Sequence, residues 1–189
     1  LEIFFNNLKN DKIKIVCRMG SIAPNHYLEE IIRSFCFVDE NCILILAGID
    51  VNNYTKKLYE IIEKLNLGKK IFIFKNIDNF TWYEILKNVH IGLCFYEENS
   101  ISHNNMAGTS TKFNNYIYGN IPMITNDNVD FNSLRKKIDI LETTYPQNPK
   151  NIATKINCLL TDEKKYNEIK KNLNKSFYEE FNFEKQYEN

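Results

Sequence analysis

Short apolar runs alternate with longer segments of helical spacing along the first two thirds of the chain. Runs of four to eight apolar residues bounded by turn residues are typical of strands that are buried on both faces. A further run, from Ile138 to Leu141, is less regular and predicts a weaker sixth strand. The five clearer strands are predicted at Lys14 to Met19, Cys42 to Ala47, Lys70 to Phe74, His90 to Phe95 and Ile121 to Thr125.

Helical periodicity fills the segments between these runs. Helices are predicted at Tyr27 to Phe37, Tyr54 to Leu65 and Thr81 to Asn88, where apolar residues recur every three or four positions. From Pro149 onward the pattern predicts a long amphipathic helix. The basic run Lys164 to Lys175 beyond it is interpreted as a solvated helix face, because charge runs of this kind usually are. Alternating strands and helices predict a parallel sheet covered by helices on both faces.

Composition limits the classes of function. The chain has 189 residues, is 43% hydrophobic and carries a formal net charge of zero, so it can bury one sizeable core. A neutral balance argues against a nucleic-acid partner, which leaves a basic footprint. No apolar run approaches the length of a transmembrane helix, and the chain does not begin with a signal-peptide pattern. We expect a domain without a transmembrane segment, located in the cytoplasm.

The five cysteines stand in apolar stretches at 17, 36, 42, 94 and 158, and none forms a Cys-x-x-Cys pair. An odd number without metal-ligand spacing favours small core residues in a reducing compartment over disulfides or a zinc site. No Asp-x-Asp metal motif is present either. We therefore expect no metal and no cofactor.

The segment from Met106 to Thr125 carries the strongest chemical signal. Small residues there leave backbone N–H groups accessible before a short helix that Pro122 ends. A helix N-terminus favours negative charge, and a lysine adds a full positive charge at the same place. An ordinary serine or threonine helix cap gives a similar pattern, and this alternative stays open. The predicted anion cradle consists of Gly108, Thr109, Ser110, Thr111 and Lys112.

This segment resembles the nucleotide-binding half of the group 1 nucleotide-sugar glycosyltransferases. The family signature runs Ser-Pro-x-Lys-Phe-x-Glu-Tyr-x-x-x-Gly-x-Pro-Val-Ile. Set without gaps, the chain coincides with it at Lys112, Phe113, Tyr116, Pro122 and Ile124. The resemblance implies a Rossmann-like three-layer α/β/α domain with a mostly parallel sheet of five or six strands.

Three positions depart from the family pattern. Asn115 stands where the family has the glutamate that binds the donor ribose, and an amide lacks the charge assistance of a carboxylate. Asn120 stands where the family has glycine, but asparagine tolerates the left-handed conformation that ends a helix. His26 stands where the family commonly has a phosphate-binding cation, and a histidine of ordinary pKa near 6.5 is mostly uncharged at neutral pH.

The resemblance also implies further donor contacts beyond the ends of the strands. Gly20 and Ser21 follow the first strand and can bring backbone close to phosphate or sugar. Asn76 and Ile77 fall where the family contacts the nucleotide base through main chain, and Glu97 falls near the sugar. Adjacent side chains diverge, so we do not expect Glu97 and Glu98 to act as an acid/base pair. His103 is expected to be an exposed loop residue, and no residue is assigned a catalytic role.

In these enzymes a nucleoside diphosphate sugar donates its sugar to an acceptor, and the resemblance implies retained configuration without an essential metal. Residues 13–189 correspond to the donor domain, whereas 1–12 resemble the end of a linker from an acceptor domain. The acceptor, a glycan or a lipid-linked glycan, would bind that missing domain and provide any membrane association. We therefore expect this chain alone to be an incomplete, inactive hexosyltransferase-like enzyme.

Three other interpretations compete with a catalytic donor domain. A degenerate, non-catalytic domain that binds a nucleotide sugar or a partner is favoured by Asn115, Asn120 and His26. A flavodoxin-like regulatory domain would need an acidic cluster after the first strand, where the sequence has Met19-Gly-Ser. A dinucleotide-dependent oxidoreductase would need Gly-x-Gly-x-x-Gly after a strand, and none is present.

Overall fold

A computed structural model describes residues 1–97 and 106–182. The helices of these ranges are α1 (Glu2–Asn10), α2 (Leu28–Ser34), α3 (Thr55–Lys64), α4 (Asn79–Leu86), α5 (Thr111–Tyr118), α6 (Val129–Ile138), α7 (Pro149–Thr161) and α8 (Glu163–Ser176), with short 3₁₀ turns at Pro24–His26 and Val51–Asn53 and a π-helical turn at Phe177–Phe181. The strands are β1 (Lys14–Met19), β2 (Cys42–Gly48), β3 (Ile71–Lys75), β4 (Ile91–Cys94), β5 (Met123–Asn126) and β6 (Leu141–Thr144).

The six strands form one parallel sheet in the order β3-β2-β1-β4-β5-β6. The order reverses between β1 and β4. Since parallel crossovers are right-handed, the helices that follow β1 and β2 cover one face and those that follow β4 and β5 cover the other. The α/β prediction is confirmed: this is a doubly wound, Rossmann-like sheet.

Burial on both faces explains why the strand predictions succeed. Strands β2 and β4 are buried along their whole length, and β1 is buried from Ile15 onward. The sixth strand lies three residues later than predicted. Helix α6 runs through Ile138, and Asp139 then leaves the helix in a left-handed conformation (φ 43°). The strand itself reads Leu-Glu-Thr-Thr, so its polar composition hides it from an apolar pattern.

The carboxyl-terminal helical segment also differs from its prediction. Two helices replace one, because Asp162 leaves helical geometry (φ −93°, ψ 81°) and caps the second helix by accepting from the Lys165 amide. The basic run is not solely a solvated face, since Ile169 and Leu173 on it are buried and Lys165 pairs with a buried carboxylate.

The cysteines and the first residues of the chain differ in part from their predictions. Cys36 and Cys158 are exposed, so only Cys17, Cys42 and Cys94 are core residues as expected. The first residues, compared above with the end of a linker, form helix α1. Phe5 of that helix is buried, and the Phe4 ring lies 5.0 Å from that of Phe72 in β3.

Candidate functional site

Three of the predicted site residues follow the two strands between which the strand order reverses. Strand β1 pairs with β4 only at Val16 and Cys17, although it continues to Met19, so a crevice opens between their carboxyl ends. Gly20 and Ser21 follow β1 at this crevice, and Glu97 lies three residues after β4. In open α/β sheets ligands bind at this kind of reversal.

Close backbone contact between two loops shapes one wall of the crevice. Gly48, at the end of β2, has φ 149°, and a Cβ on it would lie 1.8 Å from the carbonyl oxygen of Gly20. The Gly20 amide donates to the Ala47 carbonyl at 2.9 Å. Only glycine at position 48 permits this approach, which fixes the loop after β1 beside the end of β2.

Helix α5 is held against the crevice by Tyr116. Its hydroxyl donates to the Cys17 carbonyl at 2.9 Å and accepts from the Met19 amide at 3.2 Å. Its ring occupies the space above Gly92, where a Cβ would come within 2.6 Å of ring carbon. At the other end of α5, Asn120 adopts the expected left-handed conformation (φ 52°), which confirms that it can replace glycine there.

The predicted anion cradle forms the N-terminus of α5. Ser110 is its N-cap, and its Oγ accepts from the Phe113 amide at 3.4 Å. Gly108 is left-handed (φ 82°), while the amides of Thr109 and Ser110 donate to the Met106 carbonyl at 3.3 Å each. The cradle amides are therefore those of Thr111 and Lys112, which have no partner within the helix, as in any first helical turn.

Lys112 is buried, with 6% of its surface exposed. Its Nζ lies 4.2 Å from the centre of the Tyr96 ring, over the ring face. Burial, and then the nearby Arg18 charge, lowers the pKa of Lys112 to about 7, although the Cys94 thiol opposes this shift. Lys112 thus lies at the cradle, as the sequence predicted, but in a nearly dry environment.

Arg18, which sequence reasoning missed, is the second cation of the site. It lies on β1, is 1% exposed and donates from its guanidinium to the Ser21 carbonyl. Its Nε has no hydrogen-bond partner among the described residues. Burial lowers its pKa, and the neighbouring Tyr116 and Tyr96 oppose the shift. One signal was available, since arginine in an otherwise apolar strand is seldom buried without a reason.

These two buried cations have no carboxylate partner in the described ranges: none of the ion pairs found there includes Arg18 or Lys112. Their mutual repulsion is part of what lowers the pKa of Lys112. Buried charge is costly unless it is paired. The two charges lack a counter-charge within the described ranges.

The remaining predicted residues follow β3, lie further along α5 or lie in the loop before α2. Asn76 and Ile77 follow β3, two strands away from β1, and Asn76 Oδ1 accepts from the Asp50 amide at 3.1 Å. Asn115 is half-buried on α5, three residues beyond Lys112. His26 ends a 3₁₀ turn, with its ring centre 6.2 Å from that of Tyr96. Glu98 and His103 lie outside the described residues.

Within residues 1–97 and 106–182, no group of three or more His, Cys, Asp or Glu side chains is placed to hold a metal ion. No helix in these ranges is both long and apolar enough to cross a bilayer. A cavity of about 410 Å³, lined in part by Lys14 and His90, lies at the amino ends of β1 and β4, opposite the crevice.

The doubly wound sheet defines a Rossmann-like domain, with two buried cations near the carboxyl ends of β1 and β4. The family model "Glycosyl transferases group 1" matches residues 1–176, and the chain belongs to this family. The resemblance seen in the sequence is thereby confirmed. Among curated proteins, none matches the chain significantly.

Solved glycosyltransferase structures share the fold. Anabaena HepE in complex with UDP-glucose superposes with a TM-score of 0.80 at 14% identity, over 98% of this chain and 50% of HepE. The C-terminal domain of the Francisella tularensis group 1 glycosyltransferase LpcC gives 0.76 at 14% identity, over 94% and 92%. A glycosyltransferase from Rickettsia africae gives 0.74 at 12% identity, over 100% and 50%. The chain thus spans about half the length of HepE.

Proposed function

We propose that this domain binds the donor of a glycosyltransferase, a nucleoside diphosphate sugar, with the diphosphate at the crevice between β1 and β4. The observation that carries the proposal is the pair of buried cations, Arg18 and Lys112, without a carboxylate partner in the described ranges. A diphosphate supplies the missing negative charge. The N-terminus of α5 adds two free amides and a favourable dipole at the same point.

The same groups would act in the transfer step. As the bond between sugar and diphosphate breaks, negative charge develops on the departing diphosphate, and Lys112, Arg18 and the α5 amides stabilise it in a preorganised, water-poor setting. In other transferases a divalent ion stabilises the charge on the departing diphosphate. Because Lys112, Arg18 and the α5 amides would do so here, we propose transfer without an essential metal. Retention of the anomeric configuration is proposed on the family resemblance alone.

The remainder of the donor would extend along the strand ends. Asn76 and Ile77, after β3, would meet the base through their main chain. Neighbouring strands lie about 4.8 Å apart, so β3 and β1 are separated by a span comparable to a nucleoside. Asn115 would hydrogen-bond the ribose, and Gly20, Ser21 and Glu97 would line the sugar.

A second domain would complete the enzyme. HepE is twice as long as the region that matches this chain. Near-attack contact of donor and acceptor contributes about 7 to 11 kcal/mol at best, and one open crevice does not supply it. We propose that a glycan or lipid-linked acceptor binds a second, amino-terminal domain, and that this chain alone does not transfer a hexose.

Calorimetric titration with uridine, guanosine and adenosine diphosphates and their sugars tests donor binding. One ligand of this panel should bind the wild-type domain, and Lys112→Ala should weaken it about tenfold or more, because a charged hydrogen bond contributes about 1.5 to 3 kcal/mol. Lys171→Ala, which removes an exposed lysine from α8, is the matched control and should change nothing. Unchanged affinity in Lys112→Ala would remove Lys112 from the site.

Asn115, in place of the family glutamate, favours a second candidate function, a domain that binds a nucleotide sugar without catalysis. The two functions differ in one measurement. A protein that joins this domain to its own acceptor domain hydrolyses or transfers the donor sugar if it is an enzyme, and Lys112→Ala then abolishes that rate. Tight donor binding without any turnover favours the binding domain.

A further inference from the structure

Tyr96 lies at the centre of the site, two residues after β4, and no role was predicted for it. It is 5% exposed. Its amide donates to Asn126 Oδ1 at 2.8 Å, and its carbonyl accepts from Asn126 Nδ2 at 2.9 Å. Asn126 ends β5, so these two hydrogen bonds fix the Tyr96 backbone to the neighbouring strand.

The side chain of Tyr96 contacts both elements that are proposed to bind the diphosphate. Its ring face receives the Lys112 ammonium at 4.2 Å. Its hydroxyl shares a hydrogen bond with Ser110 Oγ, the N-cap of α5, and a second contact with Cys94 Sγ at 3.4 Å. One side chain thereby touches the cation and the cap of the helix whose amides form the cradle.

We propose that Tyr96 is a positioning residue for diphosphate binding, which holds the Lys112 ammonium with its ring face and orients the N-terminus of α5 through its hydroxyl and Ser110. The proposal rests on the proposed function of the site. The two actions are chemically separable, because the ring acts on Lys112 and the hydroxyl acts on Ser110.

The ring action follows from the environment of Lys112. A buried ammonium that has lost its water favours the neutral amine, and Arg18 nearby adds to this effect. The negative face of an aromatic ring offsets part of the loss. The charged or titratable groups that face Lys112 in the described ranges are Arg18, Cys94 and Tyr96, and Tyr96 is the one that presents a ring face to the ammonium. Without the ring, Lys112 would carry less charge at neutral pH.

Two substitutions separate the ring from the hydroxyl. Tyr96→Phe keeps the ring and removes the hydroxyl, whereas Tyr96→Leu removes both. Tyr96→Met has about the same volume as Tyr96→Leu but a longer, unbranched side chain that adapts to the space left by the ring, and it serves if Tyr96→Leu does not fold. Tyr83→Leu, at a half-exposed tyrosine of α4, is the matched control.

The first measurement needs no ligand. Lysine labelled with ¹³C at Cε reports the Lys112 titration by NMR, and Lys112→Met identifies its signal. We expect Tyr96→Leu or Tyr96→Met to lower the pKa of Lys112 by about one unit, and Tyr96→Phe and Tyr83→Leu to leave it in place. An unchanged pKa in both Tyr96→Leu and Tyr96→Met would overturn the proposal.

The second measurement is titration with the nucleoside diphosphate sugar that the wild-type domain binds. At pH 7.5, Tyr96→Leu should weaken binding about tenfold and move the pH profile of affinity about one unit toward acid, because fewer Lys112 side chains are charged. Tyr96→Phe should weaken binding a few-fold at every pH without moving the profile. Parallel profiles for both variants would mean a merely structural role and overturn the proposal.

The two measurements also separate this inference from the proposed function. If the wild-type domain binds no member of the nucleotide panel, while Tyr96→Leu still lowers the pKa of Lys112, the donor-binding function fails and the Tyr96–Lys112 contact stands. The opposite outcome is that donors bind and Lys112→Ala weakens their binding, but Tyr96→Leu changes neither the pKa of Lys112 nor the donor affinity. In that case only the positioning role of Tyr96 fails.

Discussion

Two buried charge clusters in this domain differ in whether the protein itself supplies the opposite charge. On β6, the Glu142 carboxylate is 1% exposed and pairs with three cations from three different helices: Arg135 of α6 at 3.5 Å, Lys155 of α7 at 2.9 Å, and Lys165 of α8. Burial would raise the pKa of Glu142, but the hydrogen bonds from Lys165 and Lys155 outweigh it and hold the pKa below its ordinary value. Here the protein supplies both signs of charge.

At the crevice, by contrast, Arg18 and Lys112 are buried near tyrosines and thiols, and neither has a carboxylate partner within the described ranges. Burial lowers the pKa of both Arg18 and Lys112. Around Glu142, by comparison, three cations pair with one carboxylate. Removing one partner from a buried cluster that is complete in itself destabilises the fold, and a cluster that lacks its counter-charge is a candidate for binding. Substitutions in the two clusters should therefore have opposite effects on stability.

The largest expected effect is the loss of stability in Glu142→Gln. It should lower the free energy of unfolding by about 3 kcal/mol, toward the low end for a broken buried pair, because the three cations are about one-third exposed and can turn to water. Urea unfolding at pH 7 measures it. Because the folded pKa of Glu142 is depressed, the difference from wild type should shrink as the pH falls below about 4.5.

Glu142→Asp is the control for this variant, since it keeps the charge and should recover part of the loss. If Glu142→Gln is as stable as wild type across this pH range, the cluster does not stabilise the fold and the contrast with the crevice disappears.

Lys112→Met should shift stability in the opposite direction. At pH 6.5 it should raise the free energy of unfolding by about 1 to 3 kcal/mol, because it removes a buried cation that no carboxylate offsets. The folded pKa of Lys112 is lowered from 10.5 to about 7, so wild-type stability should rise with pH between these values and approach that of the variant. Urea unfolding at pH 6.5 and pH 9 measures both effects. A variant less stable than wild type at pH 6.5 would contradict the assignment of uncompensated charge.

Donor affinity should depend on pH through the same residue. A bound diphosphate favours charged Lys112, so affinity should be highest below pH 7 and fall as the free lysine loses its proton. We expect roughly tenfold weaker binding of the nucleoside diphosphate sugar at pH 8.5 than at pH 6.5, with proton uptake on binding. Calorimetry in buffers of different ionisation enthalpy detects the uptake. In Lys112→Met the profile should be flat, and a wild-type profile just as flat would exclude Lys112 from the anion site.

The smallest expected effect lies at the edge of the crevice. Asn115→Glu should tighten binding of the nucleoside diphosphate by about 1 kcal/mol, because a carboxylate accepts from ribose hydroxyls more strongly than an amide does. The 2′,3′-dideoxy analogue should gain nothing, since it has no hydroxyl to donate. Calorimetric titration of both ligands measures the difference. Equal effects on the two ligands would mean that Asn115 acts within helix α5 and does not bind the ribose hydroxyls.

The sequence predicted Gly20 and Ser21 after β1 and the cradle with Lys112, but it did not predict Arg18 or the contact between Tyr96 and Lys112. Lys112 was found because a local pattern of small residues, lysine and helix marks a phosphate cradle. Arg18 and Tyr96 lie in or just after strands, and their meeting with Lys112 depends on the order of β1 and β4 in the sheet, which no local pattern carries. The first five strands were recognisable because they are apolar runs, whereas Leu141–Thr144 was placed too early because its polar residues are buried by tertiary contacts.

The same contrast holds for Glu142. Its three partners come from helices α6, α7 and α8, separated in sequence, and the basic run that contains Lys165 is indistinguishable from a solvated face until β6 is placed beside it. Positions of helices and strands follow from local periodicity. Charge clusters follow from topology, and the sequence pattern alone does not reveal which cations are paired.

Tyr116 has a mechanical consequence for the domain. Its hydroxyl accepts from the Met19 amide and donates to the Cys17 carbonyl, and its ring rests on Gly92. Sliding α5 by one turn would break both hydrogen bonds and move the ring away from Gly92, the residue whose missing side chain makes room for it. We therefore expect that α5 does not slide along the sheet. Any closure around a ligand would move the sheet, helix α5 and the two cations together as one rigid body.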